Sequence, residues 1–182
     1  HELHAYFVNI KPLIEYIKRK NIPVVWTFHC EYMYTGKCGH AYECSHFKKV
    51  CGNCPAVKTY PKSFFFDRTK QMFTMKKQLL SDMDFTIVTP SKWLENRVKL
   101  SFLKDKNICV IHNGIDTDIF KCVNIGELKE ELSIPTENKV VLALAPNIMS
   151  EAKGGKWVLD LAKRFIDKKI TFILVGDTGK EV

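Results

Sequence analysis

Apolar residues recur at two different spacings along the 182-residue chain, and the alternation predicts helices and strands in turn. Ile10, Leu13, Ile14 and Ile17 fall at i, i+3, i+4 and i+7, one face of a helix over 9–20. Pro12 is harmless in its first turn, where no N–H is needed. Residues 22–28 are β-branched and aromatic behind Pro23, which predicts a buried strand. Asp67 is placed to cap a helix over 68–80, with Met72, Met75, Leu79 and Leu80 facing inward. Residues 85–89 form a strand ended by Pro90, and Ser91 caps a helix over 92–101 with Leu94 and Val98 on one side. A strand over 108–111 leads into His112-Asn113-Gly114-Ile115-Asp116, where the Asn-Gly pair predicts a sharp reversal.

Residues 121–138 are polar, with a short helix over 125–132, and mark a domain boundary. Beyond them a strand over 140–145, a helix over 155–167 and a strand over 170–175 make a βαβ unit, which requires parallel pairing and a right-handed crossover. The helix is expected to turn Trp157, Val158, Leu161, Ala162 and Phe165 inward. The fold class is therefore α/β, with parts of two Rossmann-like domains built on parallel sheets, residues 1–122 and 123–182. The start lacks Met and the end falls where another helix should begin, so a longer product truncated at both ends is expected.

One stretch breaks both periods. Residues 29–66 hold a cluster of four cysteines besides Cys30, three glycines and two prolines with no sustained pattern. A loop of this length inside a compact domain is unusual unless it is functional or stapled. The phenylalanines at 64, 65 and 66 stand beside basic residues; they could dip into a bilayer, but are expected to fill the core beneath this loop.

Composition is that of a globular chain, 46% hydrophobic and 26% charged, which excludes disordered and collagen-like classes. No run approaches the ~20 apolar residues of a membrane span. Charge is the outlier: 28 basic against 20 acidic side chains give +8, which favours anionic partners without choosing among them. Seven cysteines cannot all pair within the chain. Cys38, Cys44, Cys51 and Cys54, spaced C-x5-C-x6-C-x2-C, fit either a tetrahedral structural zinc or four unliganded thiols, with His40 and His46 as spare ligands.

Two further places carry candidate chemistry. Lys153-Gly154-Gly155 opens the helix over 155–167, where free N–H groups, the dipole and a lysine would attract phosphate; the alternative is an ordinary βα loop. His29 directly follows a strand, a position suited to a substrate or a proton transfer.

Several segments together resemble bacterial glycosyltransferases of family 4, with the GT-B fold, in the branch found in polysaccharide biosynthesis. These are Trp26-Thr27-Phe28-His29, Tyr34-Thr35-Gly36-Lys37-Cys38, Cys51-Gly52-Asn53-Cys54-Pro55, Tyr60-Pro61-Lys62-Ser63, Phe65-Phe66-Asp67, Val88-Thr89-Pro90-Ser91-Lys92-Trp93-Leu94, Asn113-Gly114-Ile115-Asp116 with Phe120, Lys153-Gly154 and Leu174-Val175-Gly176. The resemblance implies an acceptor-binding first domain and a second that binds a nucleotide-diphosphate sugar. The sugar would pass, with retention, to a glycan or lipid-linked acceptor, with no cofactor for catalysis. It implies that Lys153 and Gly154 contact the donor diphosphate, that His29 faces the reacting sugar, and that Asn113 and Gly114 lie on the loop toward the hinge. Asn147 stands near the place of the family's arginine. Where many relatives have His-Asp-Cys-Trp, this chain has His29-Cys30-Glu31-Tyr32, so Glu31 would have to replace the aspartate.

The family's late E-x7-E motif is absent from these 182 residues, and the chain alone is expected to be inactive. The expected location is cytoplasmic, peripheral at an anionic inner membrane face. The alternatives are a zinc-stapled nucleic-acid-binding protein and a non-catalytic sugar-binding scaffold of the same fold. No nucleic acid is expected as partner, because the basic residues form no single helix stripe.

Overall fold

The computed structural model describes residues 8–59, 61, 63 and 65–177. The chain divides into two compact units, His1–Ile115 and Asp116–Val182, a division that falls N-terminal to the expected 122/123 boundary.

The first unit is a three-stranded parallel sheet, β1 (Val25–Thr27), β2 (Thr86–Thr89) and β3 (Asn107–Val110), in the order β1-β2-β3. The register puts Trp26 beside Ile87 and Ile87 beside Ile108. Helices α1 (Ile10–Lys20) and α2 (Thr69–Leu80) pack on each other, and α3 (Lys92–Lys99) packs on β2 and β3. Trp26, Phe28, Tyr34, Phe47, Phe73, Ile87 and Leu103 form the centre of one core cluster.

Local chemistry sets the helix limits. The Asn9 side chain accepts from the Lys11 N–H at the start of α1. Asn21 ends that helix in the left-handed region (φ 49°), which asparagine tolerates better than most residues. Lys18, Arg19 and Lys20 lie in the last turn, where the helix dipole favours cations. Ser91 caps α3 as expected, its hydroxyl accepting from the Leu94 N–H at 3.3 Å. Asp67 accepts from both the N–H and the hydroxyl of Thr69 ahead of α2.

Some expectations need correction. The strand over 22–28 is not buried throughout: pleating turns Trp26 and Phe28 into the core and leaves Val25 71% exposed. On α2 the buried face is Thr69, Phe73, Lys76 and Leu80, while Met72, Met75 and Leu79 flank it. A fully buried lysine holds a place that periodicity assigns to an apolar residue. Phe65 and Phe66 lie outside the core, 88% and 70% exposed, and Phe64 lies outside the described residues. The chain does not turn at Asn113-Gly114; it reverses at Asp116, whose carboxylate accepts from the Asp118 and Ile119 N–H groups.

The second unit carries α4 (Gly126–Glu131), then β4 (Lys139–Asn147), α5 (Gly155–Arg164) and β5 (Ile170–Asp177), with β4 and β5 parallel. The predicted βαβ unit is thus present. Its helix turns Gly155, Val158, Ala162 and Phe165 away from solvent, and Phe165 meets Phe172 with ring centroids 6.5 Å apart. Trp157, expected to face inward, is 73% exposed, because the inner stripe falls one position away.

Candidate functional site

At the carboxyl edge of the three-stranded sheet, each strand delivers one polar group. His29 follows β1, where the Phe28 N–H donates to Val88 O at 2.8 Å and extends the pairing to the edge. Ser91 follows β2 as the cap of α3. His112 follows β3, its Nδ1 2.9 Å from Pro90 O, with Asn113 and Gly114 behind it. In parallel α/β sheets this edge is where ligands bind. Backbone geometry does not demand glycine at 114, which lacks a positive φ and has open space where a Cβ would stand.

The segment after His29 is held by charges. Glu31 is fully buried and accepts three hydrogen bonds: from Arg97 Nε at 2.8 Å, Tyr34 Oη at 3.1 Å and the Ala41 N–H at 2.6 Å. With both oxygens occupied inside the protein, Glu31 is a strut and not a replacement for an aspartate that meets substrate. Burial, and then the neighbouring Glu31 carboxylate, push the Tyr34 phenol far above its usual range. Arg97 also donates to Tyr42 O and lies over the rings of Phe47 and Trp93, at 4.6 and 5.5 Å.

Two lysines do the work of secondary structure in this irregular stretch. Lys37 Nζ donates to the carbonyls of Val57, Thr59 and Pro61 at 2.8, 2.8 and 2.6 Å. Lys76 Nζ donates to those of Tyr32 and Thr35 at 2.6 and 3.0 Å and sits 3.5 Å from the Tyr32 ring centroid. Burial pushes the Lys76 ammonium down to about 7. Sequence reasoning singled out Glu31 only as a stand-in for an aspartate and missed its pairing with Arg97 and the roles of Lys37 and Lys76, whose partners lie as far as 66 residues away. The available signal was a glutamate inside an aromatic, non-helical run, Glu31-Tyr32-Met33-Tyr34.

Cys38, Cys44, Cys51 and Cys54 line one cavity of about 20 Å³, together with His46 and Phe47; His40 does not line it. All four thiols are free. Burial, and then neighbouring Cys54, push the Cys38 thiol up to about 11; burial likewise raises Cys51, opposed by a hydrogen bond from the Gly36 N–H at 3.2 Å. Among the described residues no three metal-type side chains are already drawn together closely enough to hold an ion.

In the second unit Asn147, Lys153 and Gly154 come together at the β4–α5 corner. Gly154 caps α5 in the left-handed region (φ 73°). The Gly155 N–H donates to Ile148 O at 3.0 Å, and a Cβ at 155 would stand 2.4 Å from that same oxygen. The corner closes so tightly that only glycine fits at 155; the Gly155 and Trp157 N–H groups are bonded within it, to Ile148 O and Gly154 O, so the positive end of α5 beside the exposed Lys153 keeps the Lys156 N–H for a ligand. The expected donor residues therefore divide, with Asn113 and Gly114 in the first unit and Asn147, Lys153 and Gly154 in the second.

The sequence profile of Glycosyltransferase Family 4 matches residues 3–119, more than half of the chain. The chain belongs to glycosyltransferase family 4. This family 4 chain is 30% identical over 124 residues to a putative colanic acid biosynthesis glycosyl transferase, WcaC, of Escherichia coli (strain K12). That alignment covers 64% of the chain and 30% of the relative's length. No solved structure matches it significantly. The family match ends just after the Asp116 turn, so it takes in the sheet edge with His29, Ser91 and Asn113 and the whole cysteine segment. Among the described residues of this family 4 chain, no helix is long and apolar enough to cross a membrane.

Proposed function

We propose that the chain is part of a bacterial GT-B glycosyltransferase. It would move a sugar, with retention, from a nucleotide-diphosphate donor to a glycan or lipid-linked acceptor in surface polysaccharide synthesis. The β4–α5 corner carries this reading. A left-handed Gly154 brings the backbone close, α5 offers its positive dipole end with the Lys156 N–H, and Lys153 adds a full charge. A diphosphate docked there would have its charge met by dipole and ammonium together, with Asn147 at the end of the same strand. In the first domain His29, at the carboxyl edge, faces the reacting sugar. Positioning and electrostatics then assist departure of the nucleoside diphosphate with no catalytic metal ion. Catalysis takes place in the cytoplasm, and the +8 charge holds the enzyme against an anionic membrane face, where a lipid-linked acceptor would reside. The 182 residues alone, without an E-x7-E segment, bind donor without turning it over.

Titration of the chain with UDP, GDP and ADP, read by phosphorus NMR, tests the corner. Saturable binding of one of them is expected, and Lys153→Ala should weaken it about tenfold, the equivalent of ~1.4 kcal/mol. Binding that is indifferent to Lys153→Ala would place the diphosphate elsewhere.

A further inference from the structure

The cysteine cavity has an electrostatic surround that the sugar-transfer reading does not use. Lys37 lines it and is nine-tenths buried, and Lys76 is completely buried nearby. Both ammonium groups donate to backbone carbonyls, and among the described residues neither forms an ion pair with a carboxylate. Burying a positive charge without a directly paired counter-charge is costly. Lys76 has the Cys51, Cys30 and Cys38 thiols within electrostatic reach, and Lys37 has Cys38 beside it and the Asp67 carboxylate farther off.

From this arrangement we infer that the four cysteines close on one zinc ion, as a structural site whose net charge of minus two is balanced by Lys37 and Lys76. Four thiolates and one divalent cation sum to that charge, and two ammonium groups cancel it. The donor set is soft sulfur, with no carboxylate lining the cavity, which selects zinc over magnesium or calcium. The cavity of about 20 Å³ matches one water-sized or ion-sized occupant.

Backbone shape pre-sets half of the site. Gly52 (φ 154°) and Asn53 (φ 45°) bend the chain between Cys51 and Cys54 so that both flank the cavity. The Gly36 N–H already points at the Cys51 sulfur, the kind of donor that supports a thiolate ligand. Position 36 is itself close-packed: a Cβ there would stand 2.7 Å from Thr69 Cβ and 3.0 Å from Cys51 Cβ. The remaining step is convergence. The sulfurs ring the cavity and must turn inward to reach the ~2.3 Å of a Zn–S bond. Each thiol gives up its proton as its Zn–S bond forms, so one zinc releases up to four protons to solvent.

The test uses the 182-residue chain purified under reductant and treated with a chelator. Zinc added back should bind at about one per chain, release protons, and shield four thiols from alkylation. Cobalt should give the intense visible bands of tetrahedral thiolate coordination. Removing Cys109 and Cys122 together, both away from the cavity, should leave all of this unchanged, whereas Cys51→Ser with Cys54→Ser should abolish the cobalt bands. The chelated parent chain needs no substitution and so remains decisive if the double serine variant misfolds. Equal alkylation of the four thiols with and without zinc would overturn the proposal. A mass lower by two or four hydrogens under non-reducing conditions, which marks disulfides, would also overturn it.

Discussion

Replacing Arg97 with methionine removes the charged partner of Glu31 and keeps most of the side-chain volume. Glu31 is fully buried, and its Oε1 accepts from Arg97 Nε at 2.8 Å. After the change the carboxylate keeps two neutral donors, Tyr34 Oη and the Ala41 N–H, and no positive charge. A buried ion left alone in this way costs about 3–5 kcal/mol. That is a large share of the roughly 5–15 kcal/mol that holds a typical domain together. Glu31→Gln alone turns an amide donor toward groups that are themselves donors, at about 1–3 kcal/mol. Combining the two should cost less than their sum, by more than about 1 kcal/mol, because the stranded charge is gone. Urea titration of the chain, followed by fluorescence of the buried Trp26, provides the measurement. If Arg97→Met costs under about 1 kcal/mol and the two changes simply add, the pair behaves like a surface salt bridge and the strut is refuted.

Two other perturbations follow from the same reasoning. The Lys76 ammonium is held down to about 7 by burial, whereas the unfolded chain holds it at 10.5, so between those values the unfolded state binds the extra proton. Lys76 should therefore contribute a rise in stability of the chelated chain from about pH 7, opposed above about 9 by the raised Cys38, Cys51 and Tyr34 groups, and melting curves of Lys76→Met should lose the rise between 7 and 9; parallel pH profiles there would count against a buried charge. In the second unit, Gly155→Ala and Gly176→Ala each force a Cβ against backbone, 2.4 Å from Ile148 O and 1.8 Å from Ala145 O. Each should cost about 1–3 kcal/mol and speed hydrogen exchange in β4 and β5, while Gly114→Ala, with open space around it, should change little.

Most regular elements could be read from the sequence, because their stability comes from short-range patterns. Ile10, Ile14 and Ile17 mark α1, Ser91 opens α3, and the β4–α5–β5 unit shows in its alternation of period. Lys76 was illegible because periodicity counts lysine as polar, and only carbonyls 41 and 44 residues away make its burial tolerable. Glu31 was picked out as a stand-in for an aspartate, but its role as a strut was illegible because its partner sits 66 residues on. Phe65 and Phe66 misled because an aromatic pair reads as core wherever it stands. The candidate site was legible at Lys153-Gly154 and His29, where the end of a strand fixes the position. At the cysteines, spacing picked out four residues that line one cavity, but Lys37 and Lys76 come near them only in three dimensions.

The way Lys37 and Lys76 hold carbonyls also orders events in time. Lys76 reaches back to Tyr32 and Thr35 from within α2, so those two bonds cannot form until that helix has formed and docked. The loop between must close before any of these bonds repays the lost chain freedom. The cysteine segment should then be the last part of the first unit to settle during folding and the first to let go. A nascent chain would expose its thiols in the interval, when a metal or an oxidant could still reach them.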